Sequence, residues 1–327
     1  ESKTPAGYTG VDPFYVTLNA DGKRLVVCDA EGKPVENGSV TINGLTITVK
    51  NSENADVTIN YVSANEAMGT VNVPSESLAP VTGVAQGSTA TAAAGYHFVN
   101  WIDGDGNEVS DKATFVPEKE NGLNVAATYT AHFAANENGL TVKHVYHGDR
   151  EVTGVTNTSK DAVATAYGTP VSENAVTTYN GHTYVLVSGE ADNMTDTDST
   201  EATVAGSMPN NAVEVTFTYE LDEIGPEGPD GIPDKYQVVF NYEAADTNGT
   251  VTGTVREVVT QRNADGDYDN TVAVNPTQPS TVTANTGYHF VNWTGAGSTE
   301  YATDEELKAV SFTTDQTFKA HFAANEN

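Results

Sequence analysis

Apolar and polar residues alternate with a period of two along most of this chain. Tyr129, Ala131 and Phe133 stand against Thr128, Thr130 and His132, and Phe318, Ala320 and Phe322 against Thr317, Lys319 and His321. Val213, Val215, Phe217, Tyr219 and Leu221 alternate with Glu214, Thr216, Thr218 and Glu220 in the same way. This is the pattern of a strand with one face buried and one face wet. The run Gly95-Tyr96-His97-Phe98-Val99-Asn100-Trp101 differs, because strict alternation puts Tyr96 and Phe98 on one face and Val99 and Trp101 on the other. It predicts a central strand covered on both sides. Helical signals are few: Asp304-Glu305-Glu306-Leu307-Lys308-Ala309-Val310 predicts about two turns with Thr303 as N-cap. The chain is therefore mainly β.

The unusual strand occurs twice, returning as Gly287-Tyr288-His289-Phe290-Val291-Asn292-Trp293. Each copy is followed by a second shared phrase, His132-Phe133-Ala134-Ala135-Asn136-Glu137-Asn138 and His321-Phe322-Ala323-Ala324-Asn325-Glu326-Asn327. A folding unit used twice argues for an array of modules and against one unique active site. Gly69 and Gly249 are 180 positions apart and the tryptophans 192, so the second copy carries 12 extra residues between them. Residues 261–267 are the expected hairpin extension. The resulting division is a strand-rich leader at 1–55, a first repeat at 56–138, a different β-rich unit at 139–221, a linker at 222–235 and a second repeat at 236–327. Three prolines and three glycines between Asp222 and Asp234 exclude regular structure there and stiffen the segment. The last residues repeat the end of the first copy, which reads as a module boundary.

Within modules of about 80–90 residues the large aromatics must supply the core. Tyr96, Phe98, Trp101, Tyr288, Phe290 and Trp293 are the expected core residues. Burying one tryptophan removes about 150–250 Å² from water, roughly 4–6 kcal/mol of gross transfer energy as an upper bound.

Charge narrows the partners. The chain has 45 acidic and 15 basic residues, a formal net charge of −30. Such a chain repels phosphate backbones and anionic lipid, so nucleic acid is not an expected partner. No run approaches the roughly 18 apolar residues of a membrane span. The single cysteine, Cys28, excludes an intramolecular disulfide framework and reads as a buried strand residue.

The Gly-Tyr-x-Phe-x-x-Trp strand, closed by a Tyr/Phe-x-Ala-x-Phe strand, resembles the Listeria–Bacteroides repeat, or internalin B-repeat, over 56–138 and 236–327. Phe133 and Phe322 stand where that family usually has Trp. The middle unit's Leu140-Thr141-Val142-Lys143-His144-Val145-Tyr146-His147-Gly148-Asp149 is similar to the opening of mucin-binding (MucBP-type) repeats. These resemblances imply small β-grasp-like modules strung in an extended array, on the surface or cell wall of a Gram-positive bacterium, outside the cell. They imply adhesion or spacing roles and carry no catalytic residues.

Candidate chemistry is sparse. Asp222, Glu227, Asp230 and Asp234 in the linker are candidate calcium ligands, as are the hairpins 103–108 and 265–270, which put oxygen ligands at alternate positions. Both hairpins depart from the EF-hand pattern, and Asp-Gly turns explain them equally. Tyr179 and Tyr184 are candidates for sugar stacking, with core filling as the alternative. Four of the seven histidines lie in the duplicated phrases, which argues against catalysis, and no hydrolase, zincin or phosphate-loop motif is present. Lys–Asn amide cross-links are a further candidate, with solvent-exposed lysines as the alternative, and the sequence names no triad. The expected function is a non-catalytic stalk or spacer, with glycan or mucin binding through 139–221, or self-association into a filament, as alternatives.

Overall fold

A computed structural model describes residues 3–196, 199–200, 202–277 and 281–326. The chain divides into two compact units, Glu1–Asn136 and Glu137–Asn327. It is mainly β in both, as the alternation predicts.

In the first unit, Val57–Ser63 is an inner strand of a five-stranded sheet. It pairs antiparallel with Ser75–Leu78 and parallel with Ala127–Ala135. Ala127–Ala135 then pairs antiparallel with Tyr96–Ile102, which carries Glu108–Ser110 on its far edge. A small sheet of Gly69–Val71, Ser88–Ala92 and Thr114–Phe115 packs against this layer. Ile59, Tyr61, Ala90, Trp101 and Ala131 are buried between them.

The second unit repeats that plan twice. From 237 onward, Gln237–Ala244 pairs with Arg256–Thr260 and, in parallel, with Gln316–Ala324, which pairs with Tyr288–Thr294. From 137 to 221, Glu137–His147 pairs with Val155–Ala166 and, in parallel, with Val213–Leu221, which pairs with His182–Asp192. Each module thus has the same four-strand order, with its first and last strands parallel at the centre. Each adds a small side sheet, here Gly249–Thr252 with Thr281–Ala284 and Pro170–Asn174 with Thr203–Ser207. The middle unit, which sequence reading sets apart as different, is a third instance of one topology.

The expected two-sided strand requires correction. In Tyr96–Ile102 the register slips between Phe98 and Asn100, leaving Val99 as a one-residue bulge. Alternation restarts after it, so Phe98 and Trp101 point to the same face, with ring centroids 6.3 Å apart. The same slip occurs at Val291, where Phe290 and Trp293 lie 5.9 Å apart. Both tryptophans are fully buried, while Val99 and Val291 are exposed. Phe98 and Phe290 pack half-buried against the core clusters. Tyr96 and Tyr288 do not join those clusters. Each forms the last pair of its ladder, opposite Ala135 or Ala324, directly after a positive-φ glycine turn. That position is past the reach of the core, and Tyr288 remains 36% exposed.

The middle unit has the matching bulge, between Leu186 and Ser188. Beyond it Gly189 pairs with Phe217, where the other modules pair Trp101 with Ala131 and Trp293 with Ala320. The large and small members of the pair have exchanged strands. A Cβ on Gly189 would lie 2.8 Å from the Phe217 ring.

The helix forms as Asp304–Lys308, and Thr303 accepts the Glu306 N–H at 3.2 Å. The expected hairpin extension forms too: Asn263 N–H donates to Asp267 O at 2.9 Å, and Arg262 stacks on Tyr268. Cys28 is buried in a strand.

Candidate functional site

The linker between the second unit's two modules is a built joint. Asp222 ends the strand Val213–Leu221 and is buried. Its Oδ1 accepts the Asp230 N–H at 3.1 Å and its Oδ2 the Gly231 N–H at 3.0 Å. Asp234, also buried, accepts the N–H groups of Glu223 and Ile224 on one oxygen, Oδ1, at 2.9 and 2.8 Å. Each carboxylate reaches across the linker and closes it into a loop. The prolines remove donors, and the two aspartates take up four of the N–H groups that remain, those of Glu223, Ile224, Asp230 and Gly231.

Side chains from both modules then grip this loop. Lys235 Nζ lies 2.7 Å from Glu220 Oε1 on the middle module's last strand. Arg256 donates to Gly225 O at 2.6 Å, and Arg150 to Gln237 O at 3.4 Å. Gln237 Nε2 donates to Asp230 Oδ2 at 2.8 Å. Tyr236 stacks on Tyr268 of the hairpin extension, centroids 5.4 Å apart, and Arg262 covers the ring of Tyr268. Burial pushes the Asp234 carboxyl up; the Ile224 and Glu223 N–H groups oppose this, and Asp149 and Asp222 add to it. Burial also raises Asp149, with Arg150 opposing and Asp315 reinforcing.

Three of the four calcium candidates, Asp222, Asp230 and Asp234, therefore meet in one place, while Glu227 stays exposed. Asp222 and Asp230 give both carboxylate oxygens to N–H donors, and Asp234 gives Oδ1 to two. Among the described residues no group of three or more His, Cys, Asp or Glu is placed to hold a metal ion. The acidic hairpins behave as turns. Asp103 Oδ1 accepts the N–H groups of Asp105 and Asn107, and Asn263 Oδ1 those of Asp265 and Asp267, with Gly106 and Gly266 at positive φ.

Tyr179 and Tyr184 are half-buried against the middle module's core. Tyr146 stacks on Tyr179 at 4.5 Å with parallel planes and meets Tyr184 at 4.8 Å. One face of Tyr179 is thus already covered. The lysines paired by the fold meet glutamates: Lys143 with Glu214, Lys160 with Glu173, Lys235 with Glu220 and Lys319 with Glu243.

One constellation escaped sequence reading. His144 is buried, with Nδ1 2.8 Å from Tyr219 Oη and Nε2 3.2 Å from Ser159 Oγ. It resembles a nucleophile and base, but its outer members are tied to the backbone: Tyr219 Oη accepts the Val176 N–H at 2.8 Å and Ser159 Oγ donates to Val142 O at 3.4 Å. Burial holds the His144 pKa below its usual value, opposed by Glu173, so the ring is neutral.

The histidines of the repeated phrase have a structural task as well. His97 Nδ1 meets Asn136 Oδ1 at 3.0 Å, and His289 Nδ1 meets Asn325 Oδ1 at 3.0 Å. The same asparagines donate their N–H to Gly95 O and Gly287 O. The two phrases travel together because each closes on the other.

A search of curated proteins returns no match to the chain. The family model of the divergent InlB B-repeat domain matches residues 57–137 and 242–326, more than half of the chain. These are the two modules that carry the bulged tryptophan strand, and the chain belongs to the divergent InlB B-repeat family.

Proposed function

We propose that this chain is a non-catalytic spacer segment of a bacterial cell-surface protein, displayed outside the cell, whose modules supply reach and mechanical order. The observation that supports this reading is one topology used three times. Among the described residues no helix is long and apolar enough to cross a membrane. The joint at 222–236 fits the role, because a spacer must hold its modules in a defined relation. No cofactor is needed.

Small-angle scattering of the intact chain tests the proposal. A compact chain of this length has a radius of gyration of about 20 Å. A spacer exceeds this clearly, and a value near the compact limit removes the reading. A glycan array probed with the intact chain tests the competing role, mucin or glycan contact through 139–221. Selective binding there would replace the spacer reading by an adhesive one.

A further inference from the structure

Among the described residues the leader contributes to none of the hydrophobic core clusters. It forms three two-stranded ladders: Tyr8–Thr9 with Ser52–Glu53, Tyr15–Leu18 with Leu25–Cys28, and Val40–Asn43 with Thr46–Val49. The first is fastened to the adjacent B-repeat. Glu53 Oε1 accepts the N–H groups of Val81 and Thr82 at 2.5 and 2.8 Å. Gly7 packs so closely that a Cβ would lie 2.4 Å from Val81 Cγ2.

The other two hairpins stand apart from every hydrophobic cluster of the described residues. Val27, Cys28 and Val40 are their buried hydrophobics. Val16 and Leu18 share a face with their cross-strand partners Val27 and Leu25, and Ile47 and Val49 with Ile42 and Val40. Leu18 is 52% exposed and Leu45 71%. A groove of about 640 Å³ runs between the hairpins, with Leu25, Val27 and Ile42 on its walls and Arg24 and Glu36 beside them. Val16, Ile47 and Val49 are exposed as well, so both hairpins leave apolar side chains in water.

Charge selects the occupant. Residues 1–55 carry seven acidic and five basic residues, a net −2, so the remaining residues carry −28 of the chain's −30. Two copies therefore repel almost everywhere except here. The turn at 19–24, with Asp21, Lys23 and Arg24, is net positive, and the turn at 29–33, with Asp29, Glu31 and Lys33, is net negative. These turns lie at opposite ends of the strand Leu25–Cys28. A two-fold axis beside that strand and perpendicular to it places the positive turn of each copy against the negative turn of the other. We propose that this face joins two copies of the chain in an isologous, antiparallel contact.

Sedimentation velocity of the intact chain, from about 1 to 500 µM, tests this proposal. A reversible monomer–dimer equilibrium is expected. Leu18→Asp and Ile47→Asp should each weaken it at least tenfold, with Trp101 and Trp293 fluorescence unchanged as a check on the modules. Reversing one turn (Lys23→Glu with Arg24→Glu) or the other (Asp29→Lys with Glu31→Lys) should suppress self-association. Mixing the two reversed variants should restore a heterodimer. A monomer at every concentration overturns the proposal, and so does a dimer indifferent to Leu18→Asp or a mixture that fails to pair. The readout is oligomeric state alone, so its failure leaves the spacer reading standing.

Discussion

Single residues decide whether the joint holds. Asp222 uses both carboxylate oxygens on backbone N–H groups, whereas Asp234 receives two N–H groups on one oxygen. An asparagine at 234 can keep its carbonyl toward those donors and removes a buried charge. At 222 an asparagine must turn its NH2 toward an N–H. We expect Asp234→Asn to leave stability unchanged or raised and Asp222→Asn to cost about 1–3 kcal/mol, by urea unfolding of the intact chain. Equal effects would contradict the assignment. The acidity of this segment was legible in the sequence, and so was its lack of regular structure. That the carboxylates satisfy linker N–H groups was not, because spacing along a Pro/Gly segment does not say which donors turn inward.

At the scale of the element, the bulge is the feature that alternation conceals. Valine is apolar, so its placement on the core face offends no rule. Only the ladder shows that Val99 and Val291 are displaced outward and that Phe and Trp then align. Deleting Val99 would leave the pairs Phe98 with Phe133, Asn100 with His132 and Trp101 with Ala131 in unbroken alternation, with Trp101 still facing the core. We expect the module at 56–138 to keep its calorimetric transition in that variant. Loss of the transition would contradict the reading of Val99 as an extra residue outside the core pattern. The strand Val213–Leu221 and the Thr303 cap were legible because each depends on local pattern alone. The shared topology of the middle module was hidden. Exchange of Trp101·Ala131 for Gly189·Phe217 keeps one large aromatic against one small residue between the two strands while erasing the phrase that marks the repeat.

At the scale of the molecule, buried titratable groups set how each unit responds to its surroundings. His144 is neutral in the folded state because burial lowers its pKa from 6.5. The unfolded chain therefore binds the proton more tightly, and stability falls as pH drops below about 6.5 toward the folded value. Asp149 and Asp234, raised by burial, contribute with the opposite sign, so the His144 contribution is read as a difference: from pH 7 to pH 5 the native second unit should fall in stability relative to the same unit carrying His144→Gln, measured by thermal melts. A native unit that gains stability relative to the variant over that range would have the wrong sign.

The central claim is that the B-repeats are separate folding units, each organised around its bulged tryptophan strand. Calorimetry of Trp101→Ala in the intact chain tests it most directly. Removing a fully buried tryptophan costs about 3–5 kcal/mol. In a module this small that lowers the melting transition by more than about 10 °C. The account predicts that the first unit's transition falls by that amount while the transition of Glu137–Asn327 stays where it was. A single transition shifted for the whole chain, or no shift at all, would contradict it.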